Sequence, residues 1–308
     1  MKKLAIVAVI LVFSVLGCKA EKGRELVDRS GRTVVINGPI NRIVSTAPSN
    51  TEIITDLGQA HKLVAIDRHS ANVTGIPAGL PLLDFFYPDA EVIVNLEPDI
   101  IIASGHNPTG TGEDPFQLLR EMGIPVVYIS MSKSIDDIYK DVAFIAELLR
   151  AGKEGKALIN ATMEQIVEIE VEIMQVVSQH VSPNVMHKRT VYFEISAAPD
   201  MMSFGKDSFI DDMISTIGAV NIFGNENWLV MPSAEAVITR NPDVILTNVN
   251  YINDPVGEIK SRPGFNHINA VKNNRIYQID ADSSVRPSPR IVLALRQMAQ
   301  AVYSDQYE

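Results

Sequence analysis

The side chains of this 308-residue chain that could do chemistry do not fall into the spacings that enzymes use. There is no G-x-S-x-G nucleophile turn, no H-E-x-x-H helix, no G-x-x-x-x-G-K-[ST] phosphate loop, and no His or Cys cluster at zinc spacing. Gly205-Lys206-Asp207-Ser208 looks like the end of a phosphate loop without its leading Gly, and is expected to cap a helix. The six His are scattered. What does recur is an acid. Ala90 to Ile102 reads AEVIVNLEPDIII and Ala234 to Leu246 reads AEAVITRNPDVIL; both place Pro-Asp seven residues after the Glu and then run into β-branched residues. Each copy reads as a short helix with an acid in its first turn, a Pro that stops it, and a buried strand. The helix dipole favours a carboxylate at Glu91 or at Glu235. It does not explain why the same acid recurs in the same register.

The two copies flank a stretch that has to be one helix. Lys156 to Val181 holds no Gly and no Pro, and its apolar residues Leu158, Ala161, Ile166, Ile169, Ile173, Val176 and Val177 recur at helical steps. Gly152 and Gly155 are expected to mark its start and Pro183 its end, giving a rod of roughly 40 Å at ~1.5 Å per residue. On either side strands alternate with helices. Strands fit 42–46, 63–67, 99–103 and 126–130 before the rod, and 190–195, 244–249 and 275–280 after it. Helices fit 51–57, 90–96, 115–122 and 135–150, then 208–217, 234–240 and 289–303. The fold expected is therefore α/β: two similar lobes with mainly parallel sheets flanked by helices, joined by one long α-helix. The segments are 1–17, an N-terminal lobe at 18–151, a connecting helix at 152–182 and a C-terminal lobe at 183–308. Facing parallel sheets put the carboxyl ends of their strands at a shared cleft, where such sheets bind ligands.

The first 17 residues stand apart. Lys2 and Lys3 precede an apolar run from Leu4 to Leu16 that is short of the ~20 residues a spanning helix needs. This is the pattern of a secretory signal. Val15-Leu16-Gly17-Cys18 resembles the lipobox of bacterial lipoproteins, which implies cleavage before Cys18 and lipidation of its thiol. Cys18 is the only cysteine, so no internal disulfide can form. The chain carries 27 basic and 37 acidic residues for a net charge of −10, which argues against nucleic acid and against charge-driven binding to anionic lipid.

Further fragments carry a family resemblance: Arg42-Ile43-Val44-Ser45, Pro48-Ser49-Asn50-Thr51-Glu52 and Leu57-Gly58; the two Glu and Pro-Asp units; Ala270-Val271-Lys272-Asn273 with Arg275-Ile276-Tyr277; and Arg286-Pro287-Ser288-Pro289-Arg290. In this order they resemble the single-helix-hinge substrate-binding lipoproteins of ABC importers, the group serving cobalamin, ferric siderophores and haem. The last fragment is especially like the cobalamin-binding members. The resemblance implies a non-enzymatic, exported and lipid-anchored monomer, in the periplasm or on the outer face of the cell membrane. Such a protein captures a metal chelate between its lobes and hands it to a permease dimer. It needs no cofactor of its own, although the transported ligand can contain cobalt or iron. The wall of the cleft would come from loops at the strand ends, including Ser104-Gly105-His106, with His69, Phe85, Phe86, Tyr87, Trp228, Tyr251 and Arg286 as candidate ligand contacts. The aromatics would cover a corrin or porphyrin. Arg286 would pair with a propionate, phosphate or carboxylate. His69 could stack, donate a hydrogen bond or ligate a chelated metal. Glu91 and Glu235 would dock on the permease, one per subunit. Arg68, His69 and Arg286 together would also suit a small oxyanion such as molybdate. A surface adhesin or sensor on the same scaffold is the second class of function, and an enzyme a distant third for want of a base and nucleophile pair.

Overall fold

The computed structural model describes residues 23–107, 114–180 and 188–306. The leader at 1–17 and Cys18 lie outside the described residues. Five strands in the order Leu82–Leu83, Leu63–Asp67, Ile43–Ser45, Ile100–Ser104 and Val126–Ile129 form the first sheet, every pair parallel. Four more, in the order Val220–Asn221, Thr190–Glu194, Val244–Thr247 and Ile276–Gln278, form the second sheet, again all parallel. The interior strand Ile-Ile-Ile-Ala-Ser at 100–104 is buried throughout, as a strand covered by helices on both faces must be. The protein is thus an α/β chain of two parallel-sheet lobes. The edge strand Leu82–Leu83 and the antiparallel pair Ser203–Phe204 with Leu229–Val230 escape a periodicity search, being only two residues long each.

The repeated segment has a structural cause in each lobe. Helix Ala90–Asn95 feeds strand Ile100–Ser104, and helix Ala234–Arg240 feeds strand Val244–Thr247. Between helix and strand, Glu97 and Asn241 each take a left-handed conformation, with φ of 44° and 46°, just before the Pro. The Asp after that Pro then ties down the first strand of its own lobe. Asp99 accepts from the amides of Asn41 and Arg42 at 2.7 and 2.8 Å, and Asp243 accepts from the amide and hydroxyl of Thr190, both at 2.9 Å. Pro-Asp recurs because each lobe must stop a helix, turn the chain and align two neighbouring parallel strands.

The long helix is described from Gly152 to His180, so it starts at the first of the two glycines expected to mark its beginning and carries Gly155 inside it. Gly155 is there for packing. A Cβ at that position would lie 2.4 Å from Cβ of Ala146, on the neighbouring helix Ile135–Leu148, so the two helices can approach this closely only at a glycine. One helix serves two cores. Leu158 and Ile159 pack on the first lobe's cluster, whereas Ile166, Ile169 and Ile173 are buried in the second lobe's. Helix Ile135–Leu148 is shared in the same way: Ile135 and Ile138 lie in the second lobe's cluster, and Val142 and Ile145 in the first. Its amino end is also held from the far lobe, because the amide of Ile135 donates to Asp212 at 2.8 Å. Two helices therefore join the lobes side by side, a stiffer joint than a single rod.

Candidate functional site

The carboxyl ends of the first sheet's strands open onto a cavity of about 450 Å³, closed on its other side by the segment 282–287 of the second lobe. This volume is in the range of small-molecule sites. His69 reaches it from a short helical turn, Arg68–Ser70, directly after strand Leu63–Asp67. The turn is capped by buried Asp67, which accepts from the His69 amide at 2.8 Å and from the Ser70 hydroxyl. Burial raises the Asp67 pKa, against the lowering effect of these donors. Ser70 continues inward through Thr51 at 3.0 Å to Ser45 at 2.8 Å, a buried hydroxyl chain that ties the turn to the first helix and strand.

Phe85 and Phe86 come from the loop after strand Leu82–Leu83. The Asp84 carboxylate accepts the amides of Tyr87 and Phe86 at 2.9 and 3.0 Å, and the Tyr87 amide is the largest cause that lowers the Asp84 pKa. Buried Asn107 donates to the Phe85 carbonyl at 2.6 Å while accepting from the Ser104 amide at 2.7 Å, so the loop is pinned to the end of strand Ile100–Ser104. The rings form a continuous wall. His69 meets Phe85 edge to face at 6.1 Å, and Phe85 meets Phe86 at 4.8 Å.

His106 lines the same cavity, with Nδ1 at 3.1 Å from the Ser104 hydroxyl. Burial lowers its pKa, which favours the neutral ring. Across the cleft the ring of Trp228 lies 6.3 Å from that of His106, and Phe204 backs it edge to face at 5.4 Å. Trp228 has a φ of 48°, uncommon for so large a residue, and both of its main-chain groups are bonded: its amide to Lys206 at 2.9 Å, its carbonyl from Gly205 at 2.7 Å. Gly205 lets this happen. A Cβ there would come within 2.3 Å of the Glu226 carbonyl oxygen. The segment ends, as its sequence suggests, in the cap of a helix: Ser208 accepts from the Asp211 amide at the start of Phe209–Thr216.

The structure gives Arg286 a different position from the one its chemistry suggested. It touches the cavity but is only 9% exposed, and its guanidinium is engaged by protein groups. Nη1 donates to Glu52 at 2.9 Å. Nη2 donates to the His69 carbonyl at 2.9 Å and to Asn72 Oδ1 at 3.0 Å, and lies 2.7 Å from Asp282. Glu52 is 2% exposed and accepts from the Ser288 hydroxyl at 2.6 Å through its other oxygen. Burial raises its pKa, while Ser288 and Arg286 oppose that. One turn further along, Arg290 pairs with Asp56 at 3.0 Å. The fragments Pro48–Glu52 and Arg286–Arg290, far apart in the chain, thus meet as an ionic clasp between the lobes. Arg286 thus meets the cavity with part of its guanidinium already committed to protein partners.

The remaining candidates are distributed unevenly. Tyr87 is exposed beside the Phe wall. Tyr251 is also exposed, its hydroxyl accepting from the Ala197 amide at 2.9 Å; neither Tyr, nor Trp228, is among the cavity walls. Segment 282–286 is not a loop: Ala281–Val285 is a short helix capped by Asp280. Glu91 and Glu235 both open their helices as exposed acids, and neither makes an ion pair among the described residues. The amide of Glu235 and the Ser233 hydroxyl lower the Glu235 pKa. Two features of the site were missed. Glu52 could have been suspected, being an acid on an otherwise buried helix face that demands a cation. The amino end of helix Pro48–Asp56, whose N-cap Ala47 supplies no side-chain cap, faces the cavity and offers a positive pole to an anionic group.

Comparison with known proteins places these features in a family. Residues 43–283 match the family model described as periplasmic binding protein. An uncharacterized ABC transporter substrate-binding lipoprotein of Bacillus subtilis is 27% identical over 281 residues, covering 91% of this chain and 86% of the relative. The vitamin B12-binding protein of Vibrio parahaemolyticus is 24% identical over 260 residues, covering 84% and 88%. Among solved structures, a possible iron-binding periplasmic solute-binding protein of Staphylococcus epidermidis is 31% identical with a TM-score of 0.74, covering 86% of this chain and all of the other. These relatives are substrate-binding proteins and not enzymes. With most of the chain matched, and two parallel-sheet lobes enclosing a walled cavity, the protein belongs to the periplasmic binding protein family as a substrate-binding component of the ABC-transporter kind.

Proposed function

We propose that the protein captures a metal chelate of the corrinoid, siderophore or haem class between its lobes and delivers it to an ABC import permease. The observation that carries this reading is the cavity wall itself. Phe85 and Phe86 present apolar ring surface next to two imidazoles, His69 and His106, that can stack on a macrocycle or approach its metal. Names of relatives support it: vitamin B12-binding and possible iron-binding proteins share the family. The amino end of helix Pro48–Asp56, which lines the cavity together with Arg286, would favour an acidic substituent there.

Trp228 supplies the reporter, because it is the only Trp and its ring lies 6.3 Å from that of the cavity residue His106. Titration with hemin, cyanocobalamin or a ferric siderophore is expected to quench its emission, with a Soret or corrin band identifying a bound macrocycle. Phe85→Ala should weaken that binding by about tenfold or more, since the truncation removes most of a large apolar contact worth roughly 1.5–3 kcal/mol. A response to molybdate alone, with none to the three chelates, would overturn the assignment in favour of an oxyanion at the helix end.

The same reading includes a lipid anchor at Cys18. Its support is the apolar run ending at the only Cys and the lipoprotein name of the Bacillus relative. Among the described residues no helix is long and apolar enough to cross a membrane. Cys18→Ser is expected to shift the protein from the membrane fraction to the soluble fraction after cell breakage. Unchanged retention in the membrane would remove the anchor from the proposal. One acyl chain holds a protein only marginally, so a stable anchor implies at least two.

A further inference from the structure

We propose that Arg286 is a positioning residue of the cleft: with Glu52 as its counter-ion in the opposite lobe, it sets the orientation of the His69 turn, and through it the wall formed by His69, Phe85 and Phe86. The inference rests on the reading of this cavity as the ligand site. It goes further by assigning Arg286 a role that acts through its protein partners.

The His69 turn is held at both of its main-chain poles. Its amide is taken by Asp67 from its own lobe, and its carbonyl by Arg286 from the other lobe, at 2.8 and 2.9 Å. Asn72, just beyond the turn, is held twice more, accepting from Arg286 at 3.0 Å and donating to Asp282 at 2.6 Å. The ring of His69 is then the first of three in edge contact along the wall. A guanidinium suits this position because its planar fork serves Glu52, the His69 carbonyl and Asn72 at fixed angles, which an ammonium cannot reproduce. Glu52 completes the device without access to the cavity. It is almost wholly buried, is absent from the cavity walls, and contacts Arg286 and Ser288. Because these links cross from lobe to lobe, a change in lobe separation has to be felt at His69, and a ligand that moves His69 has to strain the clasp.

The experiment needs no ligand. His69 ring proton resonances, shifted by the ring current of Phe85, are compared in the wild type, Arg286→Lys, Glu52→Gln and Asn72→Ala, with Trp228 emission as a reporter of the gap to His106. Loss of the Phe85-induced shift and a red shift of Trp228 emission are expected in Arg286→Lys and Glu52→Gln. Asn72→Ala, an exposed change that strands no buried charge, should give a smaller displacement in the same direction. Thermal unfolding identifies any variant that fails to fold, and Asn72→Ala keeps the test open in that event. His69 and Trp228 signals unchanged in the folded variants would overturn the inference. Failure of hemin and cyanocobalamin to bind would count against the functional reading and leave these ligand-free signals as they are, so the two failures are distinguishable.

Discussion

Replacing Arg262 with Met is expected to destabilise the protein by about 3–5 kcal/mol, the usual cost of removing one partner from a buried ion pair. Arg262 is buried in the second lobe. It follows helix Pro255–Ser261 and bonds to Glu194, the last residue of strand Thr190–Glu194, at 2.5 and 3.0 Å. The other face of its guanidinium is taken by Glu258, and Phe265 packs on it at 5.2 Å. Glu194 is 0% exposed, so after the substitution its carboxylate would be left without a cation in a site closed to water. The loss in urea unfolding should therefore be far larger than deleting an exposed pair would cause, which is about 0–1 kcal/mol.

The dependence on pH has a definite sign. Burial raises the Glu194 pKa from 4.5, while Arg262 opposes that rise. A carboxyl with a raised folded pKa contributes most to stability below its unfolded value, and the contribution is lost as pH climbs through the folded value. Without Arg262 the folded pKa climbs further. The variant's deficit should thus be greatest near neutral pH and shrink as pH falls toward 4.5. Pairing the change with Glu194→Leu should recover much of the loss, because two apolar residues need no mutual compensation. A deficit below about 1 kcal/mol at pH 7, or one that grows in acid, would mean that Glu194 is not held as an ion in this core.

The second large effect is expected on transport. Glu91 and Glu235 are exposed, open equivalent helices in the two lobes, and have no ion-pair partner among the described residues. If, as proposed, the protein delivers its ligand to a permease and that permease is two-fold, docking would call for like charges at equivalent places on the two lobes, and the repeat supplies them. Glu91→Ala or Glu235→Ala should each lower uptake or permease affinity on the order of tenfold, with a larger loss for the pair and a still larger one on reversal to Arg. Folding and chelate binding should be nearly unchanged, since neither residue lines the cavity. Undiminished uptake by the double variant would reduce both acids to helix-start residues. An adhesin or sensor on this scaffold would likewise be indifferent to them, so this experiment separates the importer reading from that alternative.

Both predictions rely on features read at different levels. The α/β plan, the long helix and the repeated acids are legible in the sequence, because they rest on interactions within a few residues: helical spacing, a Pro that stops a helix, a run of β-branched residues, an acid at a helix start. Gly155 looks like a helix boundary by propensity, yet the crossing with Ala146 turns it into a packing residue inside the helix. Arg286 could be picked out as a cation near the cleft, but not its destination. Its partner Glu52 is 234 residues away, and nothing in either neighbourhood says that the two will be buried against each other. The same holds for Arg262 with Glu194, 68 residues apart, and for the rings of His106 and Trp228, which come from different lobes. Local sequence determined which elements form and in what order. Only the closure of two lobes around two shared helices decided which charges meet, because desolvation and ion pairing depend on surroundings that exist only after the chain has folded.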